Sequence, residues 1–286
     1  MRRLTAILLL LCLLLCGCTP KGQSTPSIQE QLWVHFIDVG QADCILLECG
    51  GQYALVDGGN TADGDSVAAY LHMEGVDKLA LMVGTHPHED HIGGLADVLA
   101  QFTVDTVWSP EISGNSNAIR NFLKGVSNQG KEIEQPKIGQ VFTLGTATIT
   151  VLGPVQKYDD INNHSIVLMV QHGDNRFLLT GDMERDAEND LIDSGADLNA
   201  DVLKVGHHGS ESSTGYRFLR EVMPDYAVIS CGKGNSYGHP HEDTLSRLED
   251  AEVAVLRTDE CETIVARSTG TDIYFMWGTE HLQNAA

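Results

Sequence analysis

Positive charge is scarce in this chain. Its 286 residues include 18 Lys and Arg against 40 Asp and Glu, which gives a formal net charge of −22 at pH 7. Proteins that bind nucleic acid through its backbone normally present a basic patch, because neutralising phosphates and releasing counterions supplies much of the affinity. The sequence contains no Lys/Arg cluster. We therefore do not expect long-range steering of a polyanion, although bound metal dications could offset the negative charge inside a cleft.

Closely paired cysteines are also lacking. The seven cysteines show no C-x-x-C spacing, and three of them fall within the first 18 residues. The other four are Cys44, Cys49, Cys231 and Cys261. Four widely spaced cysteines in a large domain do not make a disulfide scaffold. We expect buried free thiols.

The apolar stretch Leu4–Leu15 is too short to span a bilayer as a mature helix, but it suits a secretory signal because two arginines precede it. It ends in Leu15-Cys16-Gly17-Cys18, which resembles a bacterial lipobox. We therefore expect residues 1–18 to be a lipoprotein signal peptide and Cys18 to carry a lipid anchor on the outer face of a bacterial cell membrane. Residues 19–31 would be a polar tether. The alternatives are an uncleaved signal anchor, or lipidation of Cys16 in place of Cys18.

Low-complexity linkers and short-period repeats are absent from residues 32–279, which favours a single domain followed by a tail at 280–286. Short apolar runs alternate with Gly- and Asp-containing turns and with helix-like stretches, a pattern typical of α/β proteins. The predicted strands are Leu32–Ile37, Cys44–Cys49, Gln52–Val56, Leu79–Gly84, Thr106–Trp108, Thr148–Leu152, Ser165–Gln171, Arg176–Thr180, Val202–Val205, Tyr226–Ser230, Val253–Arg257 and Thr263–Ser268. Predicted helices begin near Gly64, Gly93, Asn117, Met183, Ser213 and Thr244. Two similar β-rich halves facing each other would give two sheets with helices outside.

The run His86-Pro87-His88-Glu89-Asp90-His91 gathers metal-binding side chains at the end of an apolar strand. On an extended backbone His86 and His88 point the same way, and we call them the first position. Asp90 and His91 can reach a second position as the chain turns into a helix. Imidazole and carboxylate donors suit zinc, with manganese or iron as alternatives. The run predicts half of a two-metal site, the alternative being a loop of solvated histidines.

The segment THPHEDHIGG resembles the H-x-H-x-D-H signature of the metallo-β-lactamase superfamily. Further segments resemble the soluble hydrolase domain of ComEC-type competence proteins, and the resemblance covers about residues 32–279. These segments are Phe36–Asp43, Asn162–Ser165, Leu179–Asp182 and Leu203–Ser210. The resemblance implies a four-layered αββα sandwich.

The same resemblance implies the remaining metal ligands. His164 would complete the first position, and Asp182 would bridge two metals. One of His207 and His208 would complete the second position. We favour His208 as the ligand, with His207 either supporting a ligand or facing substrate, because neighbours on an extended segment face opposite ways. Independently, Asp182 follows an apolar strand, and a single carboxylate there is a natural bridge between dications, although an isolated Asp after Gly is more often a turn residue.

Three other residues are candidates for supporting the metals or touching substrate. Asp57 ends a strand before two glycines and resembles the aspartate that orients a metal-bound histidine through its other nitrogen. A turn aspartate is the alternative. Asn235 and His239 lie in the loop at 232–240, where the resemblance implies that His239 contacts substrate, whereas composition alone predicts only a loop.

Two metals about 3.5–4 Å apart lower the pKa of a bridging water to near neutrality and present hydroxide to an electrophile. We expect Asp90 to position the hydroxide and His207 to protonate the leaving group or stabilise charge. The predicted reaction is hydrolysis of a phosphodiester, with nucleic acid as one candidate substrate. A surface esterase of small phosphodiesters, for example choline-bearing ones, is an alternative enzyme. A non-catalytic accessory lipoprotein of DNA uptake is the alternative from another class. The sequence points to no protein partner.

Overall fold

The structure is a computed structural model that describes residues 31–278. The predicted signal peptide, the anchor at Cys18, the tether before residue 31 and the tail at 280–286 lie outside the described residues. The strands, in chain order, are β1 Leu32–Phe36, β2 Ile45–Cys49, β3 Gln52–Val56, β4 Lys78–Val83, β5 Thr103–Trp108, β6 Ile133–Glu134, β7 Val141–Leu144, β8 Ala147–Gly153, β9 Val167–His172, β10 Asn175–Leu179, β11 Val202–Lys204, β12 Tyr226–Ile229, β13 Ala254–Arg257, β14 Ile264–Ser268 and β15 Ile273–Trp277. The α-helices are α1 Gly64–Met73, α2 Glu89–Ile92, α3 Leu95–Gln101, α4 Asn117–Asn128, α5 Arg185–Asp193, α6 Tyr216–Val222, α7 Glu242–Asp250 and α8 Thr258–Cys261.

The strands form two sheets of similar design. One sheet has the order β15-β14-β1-β2-β3-β4-β5-β6, and the other has the order β13-β12-β11-β10-β9-β8-β7. In each sheet one half is antiparallel, whereas β3 to β6 and β10 to β13 run parallel. Since the carboxyl ends of parallel strands share one edge of a sheet, the segments after these strands are the natural place for a site.

Apolar residues fill three layers between four layers of backbone. One cluster draws on both sheets, and it contains Val34 of β1 together with Val170 of β9. Leu46, on the opposite face of the first sheet, packs with α1, α3 and α4, while Leu203 of the second sheet packs with α5, α6 and α7. Alternate residues of a strand face opposite sides, so each buried strand supplies both an inner and an outer layer. The predicted αββα sandwich is confirmed.

Each predicted strand has a counterpart, but three strands and two helices, α2 and α8, were not predicted. β6 has only two residues, and β7 has only four, of which Val141 and Thr143 are exposed. β15 is an edge strand with partly exposed side chains, and α8 is a single turn. The small size of β6, β7 and α8 explains why they were missed, whereas β15 has the aromatic-rich composition of a strand and could have been predicted from the sequence.

The four cysteines of the described region are free, as expected, and three of them are buried while Cys261 is partly exposed. Within residues 31–278 no helix has the length and apolar character needed to cross a membrane.

Candidate metal centre

The histidine-rich run begins shortly after β4, at the carboxyl edge of the first sheet, and its last three residues lie in α2. His88 has an extended backbone and immediately precedes α2. Glu89, in the middle of the run, turns away from the cluster and accepts a hydrogen bond from the backbone N–H of Thr61 at 2.7 Å. The run is therefore tied to the segment before α1, and its other polar side chains point into the site.

The first position brings two imidazole nitrogens together. Nε2 of His86 lies 3.1 Å from Nδ1 of His88. Two nitrogens bound to one tetrahedral zinc ion would be about 3.3 Å apart, because each Zn–N bond is about 2.0–2.1 Å. The other nitrogen of His86, Nδ1, lies 3.2 Å from the Thr85 hydroxyl. That hydroxyl donates to Asp57 at 2.8 Å, so it can accept from His86 Nδ1 and leave the Nε2 lone pair free.

The second position combines two imidazoles with two carboxylates. The donor atoms of Asp90, His91, Asp182 and His208 all lie within 4.8 Å of one another. Asp182 is central, since its Oδ2 is 3.2 Å from His91 Nε2 and its Oδ1 is 3.6 Å from His208 Nε2. Its Oδ2 is also 3.8 Å from His86 Nε2. One carboxylate thus faces both positions, as a bridging ligand must.

The donor atoms at this centre fit a divalent metal. His91 Nδ1 donates to Asp57 at 2.8 Å and His208 Nδ1 donates to the carbonyl of Ser230 at 2.9 Å, so each ring turns its Nε2 toward Asp182. Both Nε2 atoms and Asp182 Oδ1 are buried and have no hydrogen-bond partner within the described region. Buried polar atoms without partners are costly, and lone pairs facing carboxylates repel unless a cation lies between them.

The pKa shifts of the buried histidines also indicate a site that favours positive charge. Burial by itself would lower the pKa of His208, but the carboxylates of Asp182 and Asp43 raise it to about 10. Burial would likewise lower the pKa of His91, and Asp182 and Asp57 raise it instead. Positive charge is therefore strongly favoured among these groups, and either protons or a metal ion can supply it.

The side chains of His207 and His208 have different surroundings, because of a backbone geometry that the sequence did not predict. The prediction assumed an extended segment, whereas both residues have left-handed backbones with φ of 47° and 53° inside a tight turn. His208 is buried beside the carboxylates. His207 is a quarter exposed, and its Nδ1 lies 2.9 Å from Glu184 Oε1. Non-glycine residues seldom adopt such φ values, and they cluster at functional sites.

The structure does not bring His164 to the first position. Its Nε2 lies 2.6 Å from the carbonyl oxygen of Tyr158, and none of the contacts among residues 31–278 joins it to His86, His88 or Asp182. The 3₁₀ turn at Asn162–His164 faces it away from the centre. The neighbouring Ser165 contacts His86 through Nδ1, the nitrogen that does not face His88, at 3.3 Å, and its hydroxyl accepts from the Asp182 backbone N–H at 3.0 Å.

Asp57 lies beside the ring of His91. Its carboxylate accepts from His91 Nδ1, and from both the backbone N–H and the hydroxyl of Thr85 at 2.8 Å each. One buried carboxylate thus orients a second-position ring directly and a first-position ring through Thr85.

Comparison with known proteins identifies the family. The model of the metallo-β-lactamase superfamily matches residues 37–233, more than half of the chain. The chain belongs to the metallo-β-lactamase superfamily. It is similar to ComE operon protein 3 of Bacillus subtilis, with 32% identity over 85% of this chain and 34% of that protein. Recombination protein 2 of Haemophilus influenzae is 32% identical over 81% of this chain and 28% of its own length. The chain thus spans about a third of the curated relatives that it matches.

A solved structure supports the fold. The metallo-β-lactamase fold protein YhfI from Bacillus subtilis matches 86% of this chain and 99% of its own, with a TM-score of 0.54 and 13% identity. The candidate metal-binding residues of this chain agree with its membership of the metallo-β-lactamase superfamily, whose fold binds divalent metals.

A buried ion pair that the sequence analysis did not predict lies next to His208, on the protein side of the candidate metal centre. Lys204 Nζ lies 2.8 Å from Asp43 Oδ2, and both side chains are almost fully buried. The other oxygen of Asp43 lies 3.4 Å from His208 Nδ1. The available signal was a lysine inside the apolar strand Val202–Val205, since a lysine is rarely buried unless it is paired.

An open cavity of about 540 Å³ lies over the metal-binding cluster. Its lining includes Gln41, Asn60, His88, Glu89, Asp90, Asn162, Asp182, His207, His208, Tyr237 and His239. Burial and the neighbouring His207 and His208 lower the pKa of His239 to about 4, so this ring is neutral at pH 7.

The side chain of Asn235 makes its hydrogen bonds within its own loop and does not line the cavity. Its Oδ1 accepts from the backbone N–H groups of Tyr237 and His239 at 3.1 Å each. Its Nδ2 donates to the carbonyl oxygens of Gly232, at 2.9 Å, and His239. Because both ends of the amide are used inside the loop, Asn235 shapes the backbone that carries His239 and does not touch the metal cluster.

Proposed function

We propose that this protein is a phosphodiesterase that uses two divalent metal ions, with zinc the best match to the donors and manganese or iron as alternatives. The observation that carries the proposal is the buried group of imidazole and carboxylate atoms that lack protein partners and open onto a cavity. His86 and His88 would hold one ion, and Asp90, His91 and His208 the other. Asp182 would be shared.

Bound divalent ions would activate a water molecule and polarise a phosphoryl oxygen. Asp90 is suited to hold that water, because its side chain is one-third exposed and its Oδ2 lies beside His208 at 3.4 Å. His207 is suited to protonate a leaving-group oxygen. Glu184 accepts from His207 Nδ1, and this leaves Nε2 as the nitrogen on the cavity side.

Two observations favour a phosphodiester and limit its size. Relatives named for competence and recombination point to nucleic acid as the class of substrate. The net charge of −22 and the shortage of basic residues argue against binding a long duplex. A short single strand or a small phosphodiester at the outer face of the membrane satisfies both constraints.

The test uses the chain from residue 19 onward, loaded with zinc, manganese or iron. Metal per chain is measured, and hydrolysis of bis(p-nitrophenyl) phosphate is followed with and without chelator. We expect two ions per chain and turnover that chelator abolishes. His88→Ala and Asp182→Ala should each abolish turnover, whereas the control His72→Ala, at an exposed position of α1, should not. Two bound ions without turnover on phosphodiesters, lactams or thioesters would refute the proposal.

The same assay tests the placement of His164. Because its Nε2 is bonded to the backbone of Tyr158, His164→Ala should still bind two ions per chain. Loss of one ion in that variant would mean that His164 reaches the first position.

A further inference from the structure

Gln41 joins two loops at the mouth of the cavity. It lies in the segment between β1 and β2, facing the loop that carries His239. The side-chain Oε1 accepts from the backbone N–H of Gly232 at 3.0 Å, and Nε2 lies 3.3 Å from His239 Nδ1. A Cβ atom added at Gly232 would come within 2.6 Å of the Gln41 backbone nitrogen. The two loops can therefore approach this closely only because residue 232 is glycine.

These two contacts fix the direction of the hydrogen bond to His239. A backbone N–H can only donate, so the atom of Gln41 that faces Gly232 must be the amide oxygen. The amide nitrogen is then the atom that faces His239, and it can only donate. Nδ1 of His239 must accept, which places the proton of the neutral ring on Nε2.

The surroundings of His239 leave that Nε2–H available. Asn235 fixes the backbone on both sides of the ring, as described above. The ring stacks with Tyr237 at a centroid distance of 5.7 Å and lies 5.5 Å from the ring of His207. Within residues 31–278 no hydrogen bond uses His239 Nε2, and the side chain lines the cavity over the metal cluster.

We propose that Gln41 is a positioning residue that holds His239 as its neutral Nε2–H tautomer, and that this N–H donates to an oxygen of the bound phosphodiester. The tautomer follows from the geometry of the protein alone. The donation to substrate rests on the proposed function. A neutral donor suits this place because it stabilises negative charge on a phosphoryl oxygen without adding a cation next to the metals.

The tautomer is tested by nitrogen NMR of the zinc-loaded protein with ¹⁵N-labelled histidine. Ring proton–nitrogen correlations distinguish the two neutral tautomers, and the signals of residue 239 are assigned by their loss in His239→Ala. We expect Nε2–H in the wild type. Gln41→Glu keeps an acceptor for Gly232 but replaces the donor to His239 by an acceptor, so it should move a proton to Nδ1. An Nδ1–H neutral ring in the wild type, or an unchanged pattern in Gln41→Glu, would overturn the proposal.

The role of the donor is tested by kinetics on bis(p-nitrophenyl) phosphate. Gln41→Glu and His239→Ala should each lower kcat about tenfold or more, as loss of one donor to a charged oxygen does. His239→Gln should keep more activity than His239→Ala, because its amide N–H can replace Nε2–H. Lys233→Gln is the control, since it makes the same change of net charge at an exposed neighbour of Gly232 and should leave kcat unchanged.

The outcomes separate the two proposals. Absence of turnover in the wild type refutes the phosphodiesterase, while the NMR result still decides the tautomer. Full activity of Gln41→Glu with a shifted tautomer refutes donation by His239. Loss of metal from Gln41→Glu would show that the residue holds the centre together structurally, and this also overturns the proposal.

Discussion

At the residue scale, the centre depends on side chains that never face the cavity. Asp43 and Lys204 form a buried pair below His208. Burial would raise the pKa of Asp43, but Lys204 and His208 together hold it below its usual value. Lys204 Nζ also donates to the carbonyl of Val205 at 3.0 Å. The pair links the segment after β1 to β11, and so connects the two sheets at the site.

Removing one partner of this pair should destabilise the protein strongly. Lys204→Met leaves the Asp43 carboxylate buried without its cation, a change that typically costs about 3–5 kcal/mol. The control is Lys78→Met, because Lys78 pairs with Asp105 at 2.7 Å on the surface, where pairs contribute about 1 kcal/mol or less. Urea unfolding in the presence of chelator measures both variants. Equal losses of unfolding free energy in Lys204→Met and Lys78→Met would contradict this prediction. Recovery of stability in the double variant Lys204→Met/Asp43→Asn would support it, because that variant no longer buries an unpaired carboxylate.

Asp57 should control metal affinity without binding metal itself. Asp57→Asn can present an amide N–H to His91 Nδ1, which favours a proton on the Nε2 atom that must bind metal. We expect zinc affinity to fall about 10- to 100-fold, the usual effect of losing such a partner. Competition with a coloured zinc chelator measures it. The exposed Asp105→Asn is the control, and an affinity equal to that of the control would contradict the assignment.

The site residues that could be predicted from the sequence lie close together along the chain, whereas those that could not be predicted depend on distant partners. His86, His88, Asp90 and His91 lie close in sequence, so the chemistry of a single short run reveals them. Lys204 and Gln41 act through partners more than 150 positions away, and only the packing of the two sheets brings these together. For His164 the resemblance implied a metal ligand, whereas the 3₁₀ turn at Asn162–His164 directs its side chain to the backbone of Tyr158.

At the element scale, the strand pattern was predictable and the turns were not. Apolar runs of strand length revealed the central strands, whose two faces are both buried. The turn at Gly206–Gly209 depends on left-handed backbones at two histidines, and no local signal predicts that conformation for histidine. The site therefore lies where prediction from sequence is weakest, in the segments that follow the parallel strands.

One helix carries a pH-sensitive contact away from the metals. Glu188 of α5 is buried and accepts from the backbone N–H groups of Thr214 and Gly215, which lead into α6. Burial raises its pKa to about 7, against the lowering effect of those hydrogen bonds and of Arg185. The folded state therefore binds this proton more tightly than the unfolded state does. The resulting stabilisation is complete below about pH 4.5 and is lost as pH rises through about 7.

Glu188→Gln should remove this pH dependence. From a shift of this size we expect the stability of the wild type, relative to Glu188→Gln, to fall by at most about 3 kcal/mol between pH 4.5 and pH 7.5. Urea unfolding of both proteins across this range, with chelator present, isolates the contribution of Glu188 from that of the histidines. Glu221→Gln, at an exposed position of α6, is the control. A constant difference between wild type and Glu188→Gln would contradict the prediction.

At the scale of the whole molecule, negative charge opposes the approach of a nucleic-acid strand, one of the substrates that we propose. The net charge is −22, and a second cavity, of about 620 Å³, is rich in carboxylates. Its acidic lining residues are Asp38, Asp63, Asp259, Glu260 and Glu262. Gly40 lines this second cavity and is next in sequence to Gln41, which lines the metal cavity, so a polyanion approaching the centre passes near this negative region.

Salt should therefore speed the reaction of a polyanion. We expect kcat/KM for a single-stranded oligonucleotide to rise several-fold from about 10 mM to about 150 mM NaCl, as the Debye length falls from roughly 30 Å to roughly 8 Å. Bis(p-nitrophenyl) phosphate, with one charge, is the matched control and should change little. Proteins that bind DNA through basic patches show the opposite trend, because salt competes with counterion release. A fall in kcat/KM for the oligonucleotide would show that the metals and local donors dominate the approach, and that overall acidity does not restrict the substrate.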